Sequence, residues 1–596
     1  MQQQFVSRMT CVFLGYWDFS WSVLLRRAWG ILFFVVMLGV SVGSHNLPAA
    51  EDGVEMEVVM LPARDGKRLQ TKIYRSLDQE GPLPVLLVKT AYGSEGMDAQ
   101  ARRVAKRGYI AVIQDSRGRF GSEGEFKLYW CEPPDGFDTV TWIKEQSWCD
   151  GHVGMWGGSY LGSVQWLTAC TGAPVDALAP TASVTYFYHN IYRDGAYILS
   201  LGRAGFGANV YGPPPSAAAS PEWPRWYLTL PLMDLDDVVG YEAPLQMNMI
   251  KHIRPDGFWR ETDARNFADM DFPAQHIVGY YDFMCPGAIY GYQGMRNRAA
   301  SAHARENQQL IFGPWDHGTG NDRAGDVVFG EVARIDFLEE NLKWYDRWFK
   351  GLGKDEPFPR VRYFMMGENA WREAEEWPPA ETQLTPFYLH SGGQANTRSG
   401  NGTVSRVVPN TAQRADRFVS DPASPVPNAP AHGTKYVDGF GPYDQQIAHD
   451  RDDVLVYTSE PLQEPLRFAG QLSAELYVSA NTPDADFVVK VVDVHPNGFC
   501  HPLSTGILRA SARESLLERQ PLQAGKVYRL TIDVGHCAAT IQPGHRLCIQ
   551  IQGSHFPVYD RNTNTGEGPF SGRTLISTQS IYHDQQRPSR VLLPLL

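Results

Sequence analysis

No stretch of this 596-residue chain carries a block of like charge: 54 Lys and Arg against 66 Asp and Glu leave a net −12, spread along its length. Without a basic stripe there is nothing to track a phosphate backbone, which excludes nucleic-acid binding. An acidic balance of this kind argues chiefly for solubility. Cysteine is sparse and scattered, with eight residues at 11, 131, 149, 170, 285, 500, 537 and 548. There is no CxxC pair and no HExxH, and setting Cys11 aside leaves an odd seven, so no disulfide framework is implied, although one or two bridges stay open. His495, Cys500 and His501 lie close together, but polar residues of a strand and turn explain such a group, and neither a metal nor an organic cofactor is expected. Internal repeats are absent. The apolar run Ala28–Gly43, about 16 residues, falls short of the roughly 20 that span a bilayer. Arg26-Arg27 precede it and small residues near Ala49-Ala50 follow, so residues 1–50 are read as an export signal, with an uncleaved membrane anchor as the alternative. The expected location is accordingly exported, periplasmic or secreted.

What the chain does have is aromatic weight: 16 Trp, 27 Tyr and 28 Phe within 43% hydrophobic residues support large cores and apolar pockets. The length suggests two to four domains. Residues 51–185 alternate apolar strands with helices. "VEMEVVMLPARDGKRLQTKIYR" reads as a hairpin turning at Asp65-Gly66, and "PLPVLLVKT" and "YIAVIQD" as buried parallel strands. "AQARRVAKRG" and "DGFDTVTWIKEQ" read as helices, the latter with Phe137, Val140 and Ile143 on one face. This is the pattern of a doubly wound α/β sheet. From 186 to 268 the chain is rich in Tyr, Pro and Trp and has few strand signals, which suggests an inserted helical cap. The α/β pattern resumes over 269–354, with strands ending at Asp282 and near His317 and an amphipathic helix closed by Gly351. Residues 355–596, beginning with "RVRYFMMG", are short alternating stretches separated by Gly, Pro, Asn and Asp, the signature of an all-β sandwich or jelly roll.

The chemistry centres on Gly157-Gly158-Ser159-Tyr160-Leu161-Gly162, at a strand-to-helix junction. A nucleophile elbow needs small neighbours so that the serine hydroxyl stands above the sheet edge, with the next N–H aimed at a developing oxyanion. Leu161 departs from the common G-x-S-x-G, and a glycine-rich turn with an incidental serine is the competing reading. A base and its orienter should follow in the order Ser, Asp, His, each after a strand. Asp282 and His317 satisfy that order and placement, and Asp282 is preferred over the adjacent Asp316 because neighbouring side chains diverge. For a second oxyanion donor, the loop "KTAYGSEG" offers the Tyr92 hydroxyl, with packing at the cap interface as its alternative.

"TAYG", "GYIAVIQDSRGRFGSEGEF", "WCDGHVGMWGGSYLG", "GYYD", "GPWDH", "DADFVVKVVDVHPNG", "GILRA" and "SHFPVYDRNTNTGE" occur in order, and from about residue 55 onward the chain resembles the CocE/NonD family. That family of serine hydrolases includes bacterial cocaine esterase, α-amino-acid ester hydrolases, glutaryl-cephalosporin acylases and, more distantly, Xaa-Pro dipeptidyl-peptidases. Its elbow is G-x-S-Y-x-G, so Leu161 ceases to be an objection. The resemblance implies an α/β-hydrolase domain, an inserted helical cap and a C-terminal jelly roll. It further implies nucleophile Ser159, acid Asp282, base His317, and an oxyanion hole of the Tyr92 hydroxyl and the Tyr160 N–H. The amino-acid ester hydrolases carry acidic residues just after the triad aspartate, whereas Asp282 here precedes the uncharged Phe283-Met284-Cys285, which weakens the case for a free α-amine in the substrate. Cys285 itself is expected to pack rather than react. The expected function is hydrolysis of a small-molecule ester or amide through an acyl-enzyme. An Xaa-Pro peptidase or an acylase is the alternative, and a catalytically idle ligand-binding protein the reading from another class. Tyr186, Phe187, Tyr188 and Trp223 are expected to line the acyl or leaving-group pocket or to form an ordinary packed core. A homodimer is left open.

Overall fold

The computed structural model describes residues 52–202, 220–429 and 439–596, and the expected export signal lies outside them. The first sheet has ten strands: β1 (Val54–Pro62), β2 (Arg68–Ser76), β3 (Leu83–Thr90), β4 (Ile110–Asp115), β5 (Cys149–Gly158), β6 (Ala177–Thr181), β7 (Ala274–Gly279), β8 (Gln308–Gly313), β9 (Val361–Met365) and β10 (Ala370–Ala374). Their order is β1-β2-β4-β3-β5-β6-β7-β8-β9-β10. The β1–β2 hairpin and β2–β4 are antiparallel, and every pair from β4–β3 to β8–β9 is parallel. The hairpin turns at Gly66, whose φ of 81° suits glycine. β3, β4, β7 and β8 are buried almost throughout, because helices cover both faces of a parallel sheet.

Those helices are α1 (Asp98–Lys106), α2 (Glu132–Lys144), α3 (Tyr160–Ala169), α4 (Cys285–Arg298) and α5 (Phe337–Phe349). α5 is amphipathic. Asp336 caps it by accepting the Glu339 N–H at 3.1 Å, and Leu338, Leu342 and Tyr345 are buried. α2 starts earlier than its periodic residues suggest, with Pro133 and Pro134 in a first turn where a missing N–H costs nothing.

Between β6 and β7 lie short helices (Tyr188–Ile191, Trp223–Trp226, Leu235–Val239, Pro244–Lys251) and a two-stranded hairpin, Tyr192–Arg193 with Ala196–Tyr197. Tyr186, Phe187, Tyr188 and Trp223 are all buried. Tyr188 and Phe187 pack on Trp259, with ring centroids 5.5 and 6.0 Å away, so the packed-core reading of these aromatics prevails over a pocket lining.

The C-terminal half is all-β: eleven strands between Gln383 and Leu595 form a largely antiparallel sheet around a core that includes Leu472, Leu476, Val489, Val491, Ile532 and Ile549. "RVRYFMMG" belongs elsewhere than expected. β9 pairs in parallel with β8, and β10 pairs with β9, so this hairpin extends the first sheet. An alternating pattern specifies a strand but not the sheet it joins. Just beyond β9 the Met366 N–H donates to the Ala538 carbonyl (3.1 Å) and the Met366 carbonyl accepts the Thr540 N–H (2.8 Å), stitching the two sheets together. Arg509, buried in the all-β half, forms paired hydrogen bonds with Asp486 (2.9 and 2.9 Å) and Asp560 (3.0 and 2.9 Å). Asp560 also accepts the Tyr197 N–H at 2.8 Å, which ties in the hairpin of the inserted region. Among the described residues no helix is long and apolar enough to cross a membrane, and all seven described cysteines are free.

Candidate active site

Ser159 joins β5 to α3 at φ 60° and ψ −121°, a region that costs a non-glycine residue about 1–3 kcal/mol. Its N–H donates to the Thr181 carbonyl at 2.9 Å and its carbonyl accepts the Ser163 N–H at 3.0 Å, fixing the turn from both sides. A Cβ on Gly162 would lie 2.7 Å from the Thr181 oxygen, and one on Gly157 would lie 2.8 Å from Leu161 Cβ. Gly157 thus makes room for Leu161, the residue that breaks the common pattern. Tyr160 opens α3, so its N–H belongs to a first turn with no intrahelical acceptor.

Asp282 and His317 follow β7 and β8. The Tyr280 and Tyr281 N–H groups donate to the Gly313 and Trp315 carbonyls (2.9 and 3.0 Å), carrying the pairing of the two strands on to Asp282 and His317. His317 Nε2 lies 2.9 Å from Ser159 Oγ, and its Nδ1 lies 3.1 and 3.0 Å from the two Asp282 oxygens. Asp282 is buried and its Oδ1 also accepts the Met284 N–H at 2.8 Å. Desolvation pulls the His317 pKa down, but the charge and hydrogen bond of Asp282, aided by Asp316, outweigh it and the net shift is upward. Asp316 itself turns away to accept the Gly318 N–H at 2.8 Å.

Tyr92 follows β3. Its N–H donates to Thr90 Oγ1 at 3.0 Å, and its hydroxyl meets the Ser159 side chain. Tyr92 is about half exposed as a residue (47%), and desolvation of its hydroxyl moves the phenol pKa up with the neighbouring Ser159 side chain opposing, so the phenol stays protonated. The loop after β4 braces this end of the sheet. Asp115 accepts the Ser94 N–H at 2.6 Å and a Gln70 amide proton at 2.9 Å, while Arg119 Nε donates to the Ala91 carbonyl at 3.0 Å.

Two contributions escaped the sequence. Beneath the elbow, the Tyr160 hydroxyl donates to Glu132 Oε1 at 2.7 Å, and Glu132 Oε2 lies 3.4 Å from Lys89 Nζ in a fully buried pair. The proline pair in the first turn of α2 is the signal that would have put Glu132 on that helix. Beside His317, the Phe283 ring lies 4.5 Å from the imidazole and 5.5 Å from Phe440, which the all-β half supplies. Phe283, Asp282 and Phe440 border a small cavity together with Asn428 and Tyr559. Cys285 is buried and also lines this cavity, and burial followed by the nearby Asp282 charge pushes its thiol pKa up, which holds it in the protonated form.

Ser159, Asp282, His317 and Tyr92 therefore meet, with the Tyr160 backbone alongside. The geometry suits acyl transfer: a hydroxyl bonded to an imidazole, the imidazole bonded to a buried carboxylate, and a phenol facing the same hydroxyl. The family description "X-Pro dipeptidyl-peptidase (S15 family)" matches residues 65–319, and "X-Pro dipeptidyl-peptidase C-terminal non-catalytic domain" matches 353–592. Cocaine esterase of a Rhodococcus species is 35% identical over 572 residues, covering 90% of this chain and 98% of that protein. Among solved structures, an α-amino acid ester hydrolase aligns with TM-score 0.79 and 26% identity, over 94% of this chain and 100% of that one. An aminopeptidase from a marine-sediment Thaumarchaeota archaeon aligns with TM-score 0.77 and 25% identity, over 93% and 99%.

Proposed function

The chain belongs to the CocE/NonD family of serine hydrolases, which shares the S15 architecture, and from that premise we propose that it cleaves carboxylic esters through an acyl-enzyme on Ser159. The unbroken chain of contacts from Ser159 Oγ through His317 to Asp282 carries this reading. His317 takes the serine proton as Oγ attacks the carbonyl carbon, then returns it to the leaving alkoxide. Asp282 holds the ring in the tautomer with the proton on Nδ1 and stabilises the imidazolium. The Tyr92 hydroxyl and Tyr160 N–H stabilise the tetrahedral oxyanion, each worth about 2.7–4 kcal/mol. Water then releases the acid by the same route in reverse.

Uncharged Phe283-Met284-Cys285 and the Phe283–Phe440 wall favour an apolar, aromatic acyl or alcohol group over a free ammonium. The S15 match and the archaeal aminopeptidase favour amide cleavage as the second reading. Labelling with a fluorophosphonate, which reacts with activated serines, tests the nucleophile. The intact chain should label and Ser159→Ala should not, and equal labelling of both would refute the assignment. A panel of aryl acetates, benzoates, Gly-Pro-anilide and glutaryl-anilide ranks the substrates, and faster turnover of Gly-Pro-anilide than of every ester would reverse the order. Export is proposed on Arg26-Arg27 and the apolar run that follows. Mass spectrometry of the protein recovered outside the cytoplasm should find the first 50 or so residues missing.

A further inference from the structure

The sequence grouping of His495, Cys500 and His501 is not a ligand set. Cys500 Sγ faces His449 Nδ1 (3.5 Å) and the Gly498 carbonyl (3.4 Å), and His501 Nε2 meets the Tyr281 hydroxyl at 2.9 Å. The imidazole that does approach His495 comes from another turn. His545 lies with its ring centroid 4.4 Å from that of His495, and the two rings share one carboxylate, Asp493. Asp493 Oδ1 is 2.8 Å from His545 Nδ1 and Asp493 Oδ2 is 3.4 Å from His495 Nε2.

The backbone holds this arrangement. Asp493 sits near the end of strand Asp486–Val494, in register with Leu547 on one neighbouring strand and His501 on the other. His495 belongs to a turn in which its N–H donates to the Phe499 carbonyl at 2.9 Å, and the His545 N–H donates to the Gln542 carbonyl at 3.1 Å. Two turns of adjacent strands thus deliver two imidazole nitrogens and one carboxylate oxygen, all within 4.8 Å of one another. As a purely hydrogen-bonded cluster the set does not close: His495 Nε2 is enclosed and has no hydrogen-bond partner among the described residues. An enclosed, unbonded ring nitrogen is a cost that a stable fold normally avoids.

We propose that Asp493, His495 and His545 bind one borderline divalent transition-metal ion of the Zn2+ class. Two imidazoles and a carboxylate suit Zn2+, Co2+ or Ni2+, whereas Ca2+ and Mg2+ require an all-oxygen shell that this site lacks. A shared cation satisfies the free nitrogen of His495 and all three donors at once. Three protein ligands leave the remaining positions to water. The ion takes no part in ester cleavage. It pins two turns of the all-β half beside His501, whose partner Tyr281 adjoins Asp282.

The test uses the full, untagged chain, treated with a chelator and titrated with Co2+ and then Zn2+. The expected result is one equivalent of bound Co2+ with the visible absorption of an imidazole-ligated ion, displaced by Zn2+, and no binding of Ca2+ or Mg2+. His545→Ala and Asp493→Asn should each weaken Zn2+ binding roughly 10–100-fold or more, measured by calorimetry. His495→Ala, at a half-exposed side chain, keeps the test decisive if the other two variants fail to fold. Failure of the intact chain to take up stoichiometric metal at micromolar concentrations would overturn the proposal, as would unchanged affinity in folded His495→Ala.

Discussion

The two halves of the molecule use their buried polar groups in opposite ways. In the α/β half, Tyr92, Ser159, Asp282 and His317 follow β3, β5, β7 and β8, and the parallel sheet brings these strand ends to one edge by topology alone. There Ser159, His317 and Asp282 contact one another in series, an arrangement that suits proton transfer along the chain of contacts. In the all-β half, Arg509 is held between two carboxylates, one of which also accepts a backbone N–H, and this set holds the fold. Its share of the cleft, Phe440, arrives on a loop. In this cleft the parallel sheet supplies the polar groups from its strand ends, and the all-β half supplies an apolar surface, Phe440.

The comparison breaks most visibly at Asp282. Asp282→Asn should lower kcat by about 10^4 in steady-state ester hydrolysis, because the neutral amide selects the wrong imidazole tautomer. The base must be neutral to act, and His317 is held above the ordinary imidazole pKa of about 6.5. In the native enzyme kcat/KM should therefore fall, as pH drops, around an apparent pKa above that value. Removing the Asp282 charge should move this acid limb to lower pH; an unmoved limb assigns it to another group.

Asp560→Ala is the matching experiment in the all-β half. It strips Arg509 of one partner and the Tyr197 N–H of its acceptor, and should cost about 3–5 kcal/mol in denaturant unfolding. If it slows catalysis instead without lowering stability, the division of labour drawn above is wrong. Tyr92→Phe keeps the ring and deletes the donor, so kcat should fall about 10^2–10^3-fold with KM little changed. The smallest effect belongs to the lent surface: Phe440→Ala should cost about 0.5–1.5 kcal/mol in kcat/KM for benzoate esters and spare acetates. An equal loss on both would show that Phe440 supports the site without contacting the acyl group.

The sequence was most informative where local pattern and topology coincide. A hydrophobic run that stops at Gly157-Gly158-Ser159 places a residue at a sheet edge, and runs ending at Asp282 and His317 do the same. Tyr92 was ambiguous from position, because a tyrosine at a loop serves packing and donation equally well. Tyr186, Phe187, Tyr188 and Trp223 show the same ambiguity resolved the other way: core and pocket draw on the same aromatic residues, and these went to the core. Phe440 and the Glu132–Lys89 pair were invisible because their contacts join segments far apart in the chain. "RVRYFMMG" reads as a strand, which β9 is, but its pattern does not say which sheet it joins, and it pairs with β8 rather than with the all-β half.

That hairpin also decides where the protein can be cut. A gene fragment stopped near residue 353 would end before Val361 and strip the α/β half of its last two strands. The backbone of Leu310–Phe312 would then lie as a raw edge, free to recruit strands from other molecules. The complementary fragment would carry Val361–Met365 with no sheet to join. The two halves are one unit of expression, and a functional division of this chain has to leave residues 361–374 attached to the piece that holds Ser159.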